Sequence, residues 1–152
     1  ALENFIKATE KIHDFAIMAP YIQEEKNKFD KNYLKNISPV EVENVKGFAM
    51  FLNISEFKEV GFFDENIFYA PEDVDYCIRV WLAGYRIFYD TDESLTVVHD
   101  AQELSRKFKI TKFHIEHIKG LLYLFKKYDC LFSLDKLRAR IAISQHYGPK
   151  KS

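Results

Sequence analysis

Between Pro71 and Asp90 the hydrophobic period changes once, from that of a helix to that of a strand, and a glycine marks the joint. Pro71 suits the start of a helix, where its missing N–H would have had no partner. Val74, Cys77, Ile78, Trp81 and Leu82 then fall on one side. The spacing predicts a helix from about Glu72 to Ala83, stopped at Gly84, followed by a strand in "YRIFYD". Helix and strand alternating in this way indicate class α/β, with part of a sheet covered by helices.

The rest of the chain fits that reading. Leu2, Phe5, Ile6, Ala8 and Ile12 recur at helical spacing, and "FAIMAP" reads as a short buried strand stopped by proline. Tyr21 to Pro39 is charged and Asn-rich, so a surface loop is expected. A strand is expected over Val42 to Leu52, interrupted by Gly47, then a short helix opened by Ser55 as N-cap and closed by Gly61. "LTVVHD" reads as another short strand ending at His99, Ile115 to Tyr128 as an amphipathic helix, and Ser133 to Gln145 as a basic one. Residues 1–100 thus form the sheet-bearing portion, and 101–152 a helical extension packing on it. Phe48, Phe51, Phe62, Phe63 and Phe68 are expected in the core.

Composition narrows the classes further. A chain of 152 residues, 47% hydrophobic, is one domain's worth and long enough to bury a core. Its 22 basic and 23 acidic residues leave a net charge of -1, which gives no general argument for a nucleic-acid partner. Cys77 and Cys130 form no C-x-x-C pair, which suits a reducing compartment. No apolar run approaches the ~20 residues of a membrane span, and no leader pattern opens the chain, so cytoplasm is the default. The chain begins without Met and in mid-element, which points to a segment of something longer.

Glu72, Asp73 and Asp75 crowd the mouth of the predicted helix. Acids in a first turn are favoured by the exposed amide N–H groups, at about 0.3 to 1 kcal/mol each, and that accounts for them without any function. The upstream Tyr69-Ala70-Pro71 is apolar, however, so these acids enter the helix beside buried surface, where an ionised carboxylate needs a partner. Glu72 and Asp73 point about 100° apart, which lets one face a cleft while the other caps or pairs. Asp75 and Arg79, one turn apart, read as a structural pair.

Five blocks in one order carry a family resemblance: Gly47-Phe48-Ala49; Glu59-Val60-Gly61-Phe62-Phe63-Asp64-Glu65; Glu72-Asp73-Val74-Asp75 with Arg79; Ala83-Gly84-Tyr85-Arg86-Ile87; and His99. This stretch resembles the acceptor-side half of the inverting family 2 glycosyltransferases of the GT-A fold, particularly their rhamnosyltransferase-like members. The resemblance runs from the first residue to about Tyr128. It implies a partial GT-A fold and sugar transfer from a nucleotide-diphospho-sugar donor to a glycan or lipid-linked acceptor, in cell-surface polysaccharide synthesis. Asp73 would be the general base that takes the acceptor hydroxyl's proton, and Glu72, Gly47, Tyr69 and Trp81 would line the acceptor side. His99 would complete a divalent metal site, Mn or Mg, whose other ligands come from a D-x-D motif. After His99 the family carries small residues that hold the diphosphate. Here "DAQELSRK" follows, which leaves Ser105, Arg106 and Lys107 for that contact.

The family's nucleotide-binding half, with its D-x-D, has no counterpart here. Asp73-Val74-Asp75 and Asp90-Thr91-Asp92 have the spacing but fall at other elements. The isolated chain is therefore expected to be inactive in transfer and to expose a sheet edge open to self-association. A reading from another class stands beside it: a non-catalytic module of the same descent that binds a glycan or a partner subunit. His114 and His117 are three apart, but no third ligand at suitable spacing supports a metal there. The basic tail "KLRARIAISQHYGPKK" suits an anionic membrane surface, such as the inner face of the membrane, as well as it suits a solvated helix face.

Overall fold

The computed structural model describes residues 2–10, 12–22, 38–68, 70–99, 112–131 and 133–147. In chain order the elements are α1 (Leu2–Glu10), β1 (Phe15–Ala19), β2 (Tyr21–Ile22), β3 (Val40–Glu41), β4 (Phe51–Leu52), α2 (Phe57–Val60), α3 (Glu72–Leu82), β5 (Arg86–Tyr89), β6 (Thr96–Val97), α4 (Lys112–Tyr128) and α5 (Asp135–Tyr147). The class is mixed α/β. A four-stranded sheet runs in the order β3-β5-β1-β4, and β2 and β6 form a separate two-stranded one.

The centre of the larger sheet is the parallel pair β1 and β5, in register Ile17 to Ile87, Met18 to Phe88 and Ala19 to Tyr89. Antiparallel strands close both sides, β4 against β1 and β3 against β5. A parallel pair needs cover on both faces, and the period of two sorts the side chains accordingly. Ile17, Ala19, Ile87 and Tyr89 join a core with Tyr76, Cys77 and Val80 of α3. Met18 and Phe88 turn the other way onto Phe5 of α1. A third cluster, Leu124, Tyr128, Cys130 and Leu137, packs α4 and α5 on Ile78 and Leu82 of α3.

Helix ends are set by backbone geometry. Past α3, Gly84 lies at φ 86°, with Tyr85 N–H donating to Val80 O at 3.1 Å and Gly84 N–H to Trp81 O at 3.1 Å, a Schellman stop that turns the chain into β5. Past α4 the same pair of bonds forms around Asp129 at φ 53°, with Cys130 N–H donating to Phe125 O at 3.0 Å, so an aspartate takes the place usually held by glycine.

Three expectations need correction. Of the strand expected over Val42 to Leu52 only β4, Phe51–Leu52, forms: β3 ends at Glu41, before that range, and a 3-10 turn occupies Gly47–Ala49. Ser55 lies inside a 3-10 turn, Ile54–Glu56, that precedes α2, and its hydroxyl donates to Asn53 Oδ1. Phe48, Phe51, Phe62, Phe63 and Phe68 are exposed, at 40, 39, 80, 40 and 78%. All but Phe51 lie in turns or irregular segments with no helix or sheet face of their own to bury against. Phe63 finds Tyr76 at 4.7 Å and Phe51 finds Phe5 at 4.5 Å between ring centroids.

Gly120 fixes how closely α4 approaches the mouth of α3. A Cβ there would stand 2.5 Å from Ala70 O and 3.1 Å from Pro71 Cδ. Replacing a mid-helix glycine by alanine ordinarily favours a helix by about 1 kcal/mol. Gly120→Ala is expected instead to destabilise by about 1 to 3 kcal/mol in urea unfolding, as overpacking does. A more stable variant would remove this contact as a determinant of the fold.

Candidate functional site

Pro71 starts α3 without any side-chain cap. The chain reaches it through Ala70, a non-glycine residue at φ 31°, a sparsely populated conformation. The first turn therefore presents its amides and its acids together.

Asp73, half-buried, is held at both oxygens: Oδ2 accepts the Gly47 N–H at 3.1 Å and Oδ1 the Val74 N–H at 2.8 Å. Glycine at 47 eases this approach, since a Cβ there would sit 3.3 Å from Asp73 Cβ, closer than an ordinary contact. Next in the chain, Phe48 stacks on His99, with ring centroids 3.9 Å apart and planes 15° from parallel. The 3-10 turn thus joins Asp73 on one side to His99 on the other. Beside Asp73, the Oε2 of half-buried Glu72 is shielded from water and has no hydrogen-bond partner among the described residues.

Asp75 faces inward and is fully buried. Its Oδ2 takes the Arg79 Nε–H at 2.9 Å, and its Oδ1 takes both Lys127 Nζ at 2.7 Å and the Tyr128 hydroxyl at 2.8 Å. The pairing expected of Asp75 and Arg79 is present. Arg79 also donates to the carbonyl of Val60, which ends α2. Lys127 bridges onward to Asp64 Oδ2 at 2.7 Å, where the Tyr123 hydroxyl adds a bond at 3.0 Å. Burial opposes ionisation of Asp64, but the bonds from Lys127, Asn66 and Tyr123 overcome it and hold its pKa well below the usual carboxylate range. Burial likewise resists the charge on Lys127, yet its two carboxylate partners raise its pKa. Burial pushes the Cys77 thiol up to about 12, with the Val45 backbone opposing and Asp73 adding to the rise. Such a thiol is inert.

Of the residues singled out in the sequence, the structure brings Glu72, Asp73 and Gly47 together and sets His99 beside them through Phe48. Trp81 lies more than two turns further along α3. It lines an apolar cavity, and its indole N–H donates to Glu43 O at 2.7 Å. Tyr69, Ser105, Arg106 and Lys107 lie outside the described residues. Asp90 is buried and spent on structure, accepting from the Ser38 hydroxyl at 2.7 Å and the Asp92 N–H at 2.9 Å. Asp64, Gly120, Tyr123, Lys127 and Tyr128 were not foreseen. The one available signal was the line of Gly120, Leu124 and Tyr128 at four-residue spacing, which marks the buried face of α4 with Lys127 at its margin.

Among the described residues no group of three His, Cys, Asp or Glu side chains gathers to hold an ion. No described helix is long and apolar enough to cross a membrane. Neither a family model, nor a curated protein, nor a solved structure matches the chain. Fold and site together define a mixed α/β unit with an acid pair at a helix mouth, braced from beneath by an ion-pair network.

That network carries a pH signature. The folded pKa of Asp64 lies below its ordinary value of 3.8, so the stability it confers is present above that pH and drains away as pH falls toward the folded pKa. Asp64→Asn is expected to cost about 1.5 to 3 kcal/mol near neutral pH, the range for a hydrogen bond to a charged group. The difference from the unmodified protein should close in strong acid. Urea unfolding at about pH 7 and about pH 2.5 measures it, and an equal loss at both would show that Asp64 acts by packing rather than by charge.

Proposed function

We propose that the chain is the acceptor-side, base-carrying part of an inverting glycosyltransferase of GT-A type, acting on a nucleotide-diphospho-sugar. The observation that carries this reading is Asp73, a half-buried carboxylate fixed by the Gly47 and Val74 N–H groups at the rim of a helix mouth. Those two bonds set its orientation, and the remaining lone pairs are available to a hydroxyl. In the reaction Asp73 accepts the proton of the acceptor hydroxyl as that oxygen attacks the anomeric carbon. The nucleoside diphosphate leaves from the opposite face, which inverts the centre. Glu72 positions the acceptor: its covered, unpaired carboxylate oxygen is costly, and turning that side chain out toward the acceptor gives it a sugar hydroxyl as donor. His99 and Phe48 form the wall that continues from Gly47. A bound divalent metal would stabilise the charge on the departing diphosphate. His99 is the described side chain assigned to hold it, and no step attributed to Asp73 or Glu72 runs through it.

A second reading, a glycan-binding module without turnover, has support in the exposed Phe62 and Phe68 close to α3, since flat apolar rings suit sugar faces.

The transferase reading predicts that acceptor saccharides shift the Gly47 and Val74 amide resonances saturably, because those amides report the Asp73 carboxylate. Only the transferase reading predicts that Asp73→Asn, in the native-length protein, lowers nucleoside diphosphate release with acceptor present by about 10²- to 10⁴-fold. Donor binding should stay within a few-fold. Turnover that survives Asp73→Asn would remove Asp73 as the base.

A further inference from the structure

A cavity of about 520 Å³ lies between α3 and the helices α4 and α5. Its walls are apolar, among them Val74, Cys77, Leu124, Phe125 and Ile141. The cleft is partly open to solvent, and its size falls within the range of about 300 to 1,000 Å³ typical of small-molecule sites. Water is a poor filler, since it needs two to four polar partners. The indole N–H of Trp81 is already committed to Glu43 O, and the Gln145 side-chain amide donates to Tyr85 O at 3.1 Å.

Charge distinguishes the two ends. Among the described residues Arg138 is the one cation in the lining, and its ion pair with Asp135 is long, at 3.8 Å between largely exposed side chains. Gln145 lies two turns further along α5, near the end of α3, where Trp81 and Glu43 also sit. The cavity is thus apolar along its length, with a guanidinium toward one end and the Glu43 carbonyl, bonded to Trp81, at the other. The three helices that form it carry eight basic against five acidic residues, in a chain of net charge -1.

We propose that this cavity binds a free single-chain anionic amphiphile, of the fatty-carboxylate type, with its head group on Arg138 and its aliphatic chain running toward Trp81. The site uses residues distinct from Glu72 and Asp73, and it stands whether or not those acids transfer sugar.

Trp81 is the only tryptophan, so its emission reports occupancy directly. Titration of the whole chain with dodecanoate below its micelle threshold is expected to give a saturable change in Trp81 fluorescence. Dodecyltrimethylammonium, with the same tail and the opposite head charge, should bind about tenfold more weakly. Arg138→Glu, on an exposed side chain, should weaken dodecanoate by about tenfold or more. Ala142→Phe and Val74→Phe, each filling the cavity from a different helix, should abolish saturation while far-UV circular dichroism confirms that they are folded. Three results would each overturn the assignment: no saturable change with dodecanoate, equal binding of the two head groups, or a change seen only with phosphatidylglycerol vesicles, which would place the occupant in a bilayer. Should the filled variants fail to fold, the head-group and Arg138→Glu comparisons decide alone.

Discussion

A carboxylate with no access to water is costly unless donors surround it, and Asp75 meets that demand with Arg79, Lys127 and Tyr128. The three donors come from two helices far apart in sequence. Satisfying one side chain therefore fixes the distance and rotation of α4 against α3. Arg79 reaches on to the carbonyl of Val60, and Lys127 reaches on to Asp64, so the segment leading into α3 is tied to the same centre. Breaking a buried pair leaves an uncompensated charge, at a cost of about 3 to 5 kcal/mol. The network thus opposes any arrangement in which α4 drifts from α3.

This constraint gives the helix mouth its character. Glu72 and Asp73 lie on the same turn as Asp75 but are only half-buried, so the inward acid anchors the turn that presents the other two. From outside, Gly47 closes on Asp73 with a backbone N–H. From behind, Gly120 lets α4 reach Ala70 and Pro71 at backbone contact distance. Two glycines on opposite sides thus do related work: each removes a side chain where the backbone must come close. Oriented dipoles around a carboxylate are the kind of preorganised setting that acid–base chemistry requires, because the geometry is set before any substrate arrives.

How much of this was legible in the sequence depends on the range of each interaction. Helix α3 and its Gly84 stop were readable because period, proline and glycine are all local signals, and the observed Glu72–Leu82 agrees with them. The Asp75–Arg79 pair was readable for the same reason, lying one turn apart. The bond from Lys127 to Asp75 was not, because two charged residues 52 positions apart carry no mark of contact. The end of α4 was hidden by its aspartate, since Asp129 performs a turn that glycine usually announces. The segment around Gly47 misled in the opposite direction. An apolar run with one glycine reads as an interrupted strand, but the structure uses that glycine to leave the sheet and meet Asp73. The exposed phenylalanines misled because hydrophobicity sets a preference for burial, and the surrounding elements decide whether a surface exists to satisfy it.

Helix α3 has three faces with three environments, and its sequence shows why one element can serve all of them. Tyr76, Cys77 and Val80 meet the sheet, Ile78 and Leu82 meet α4 and α5, and the first turn meets Gly47. A helix that is apolar over so much of its circumference would ordinarily sit deep in a protein. Here the polar residues that remain are confined to its start, apart from Arg79, which is turned inward to Asp75. Charge is therefore concentrated at the end of the helix where the unpaired amides add positive potential, and the rest of its length is free to form the floor of an apolar cavity. The acid mouth and the cavity are two consequences of one distribution of residues along eleven positions. A substitution that rotated α3 to relieve one would disturb the other, and the ion-pair centre at Asp75 is what resists that rotation.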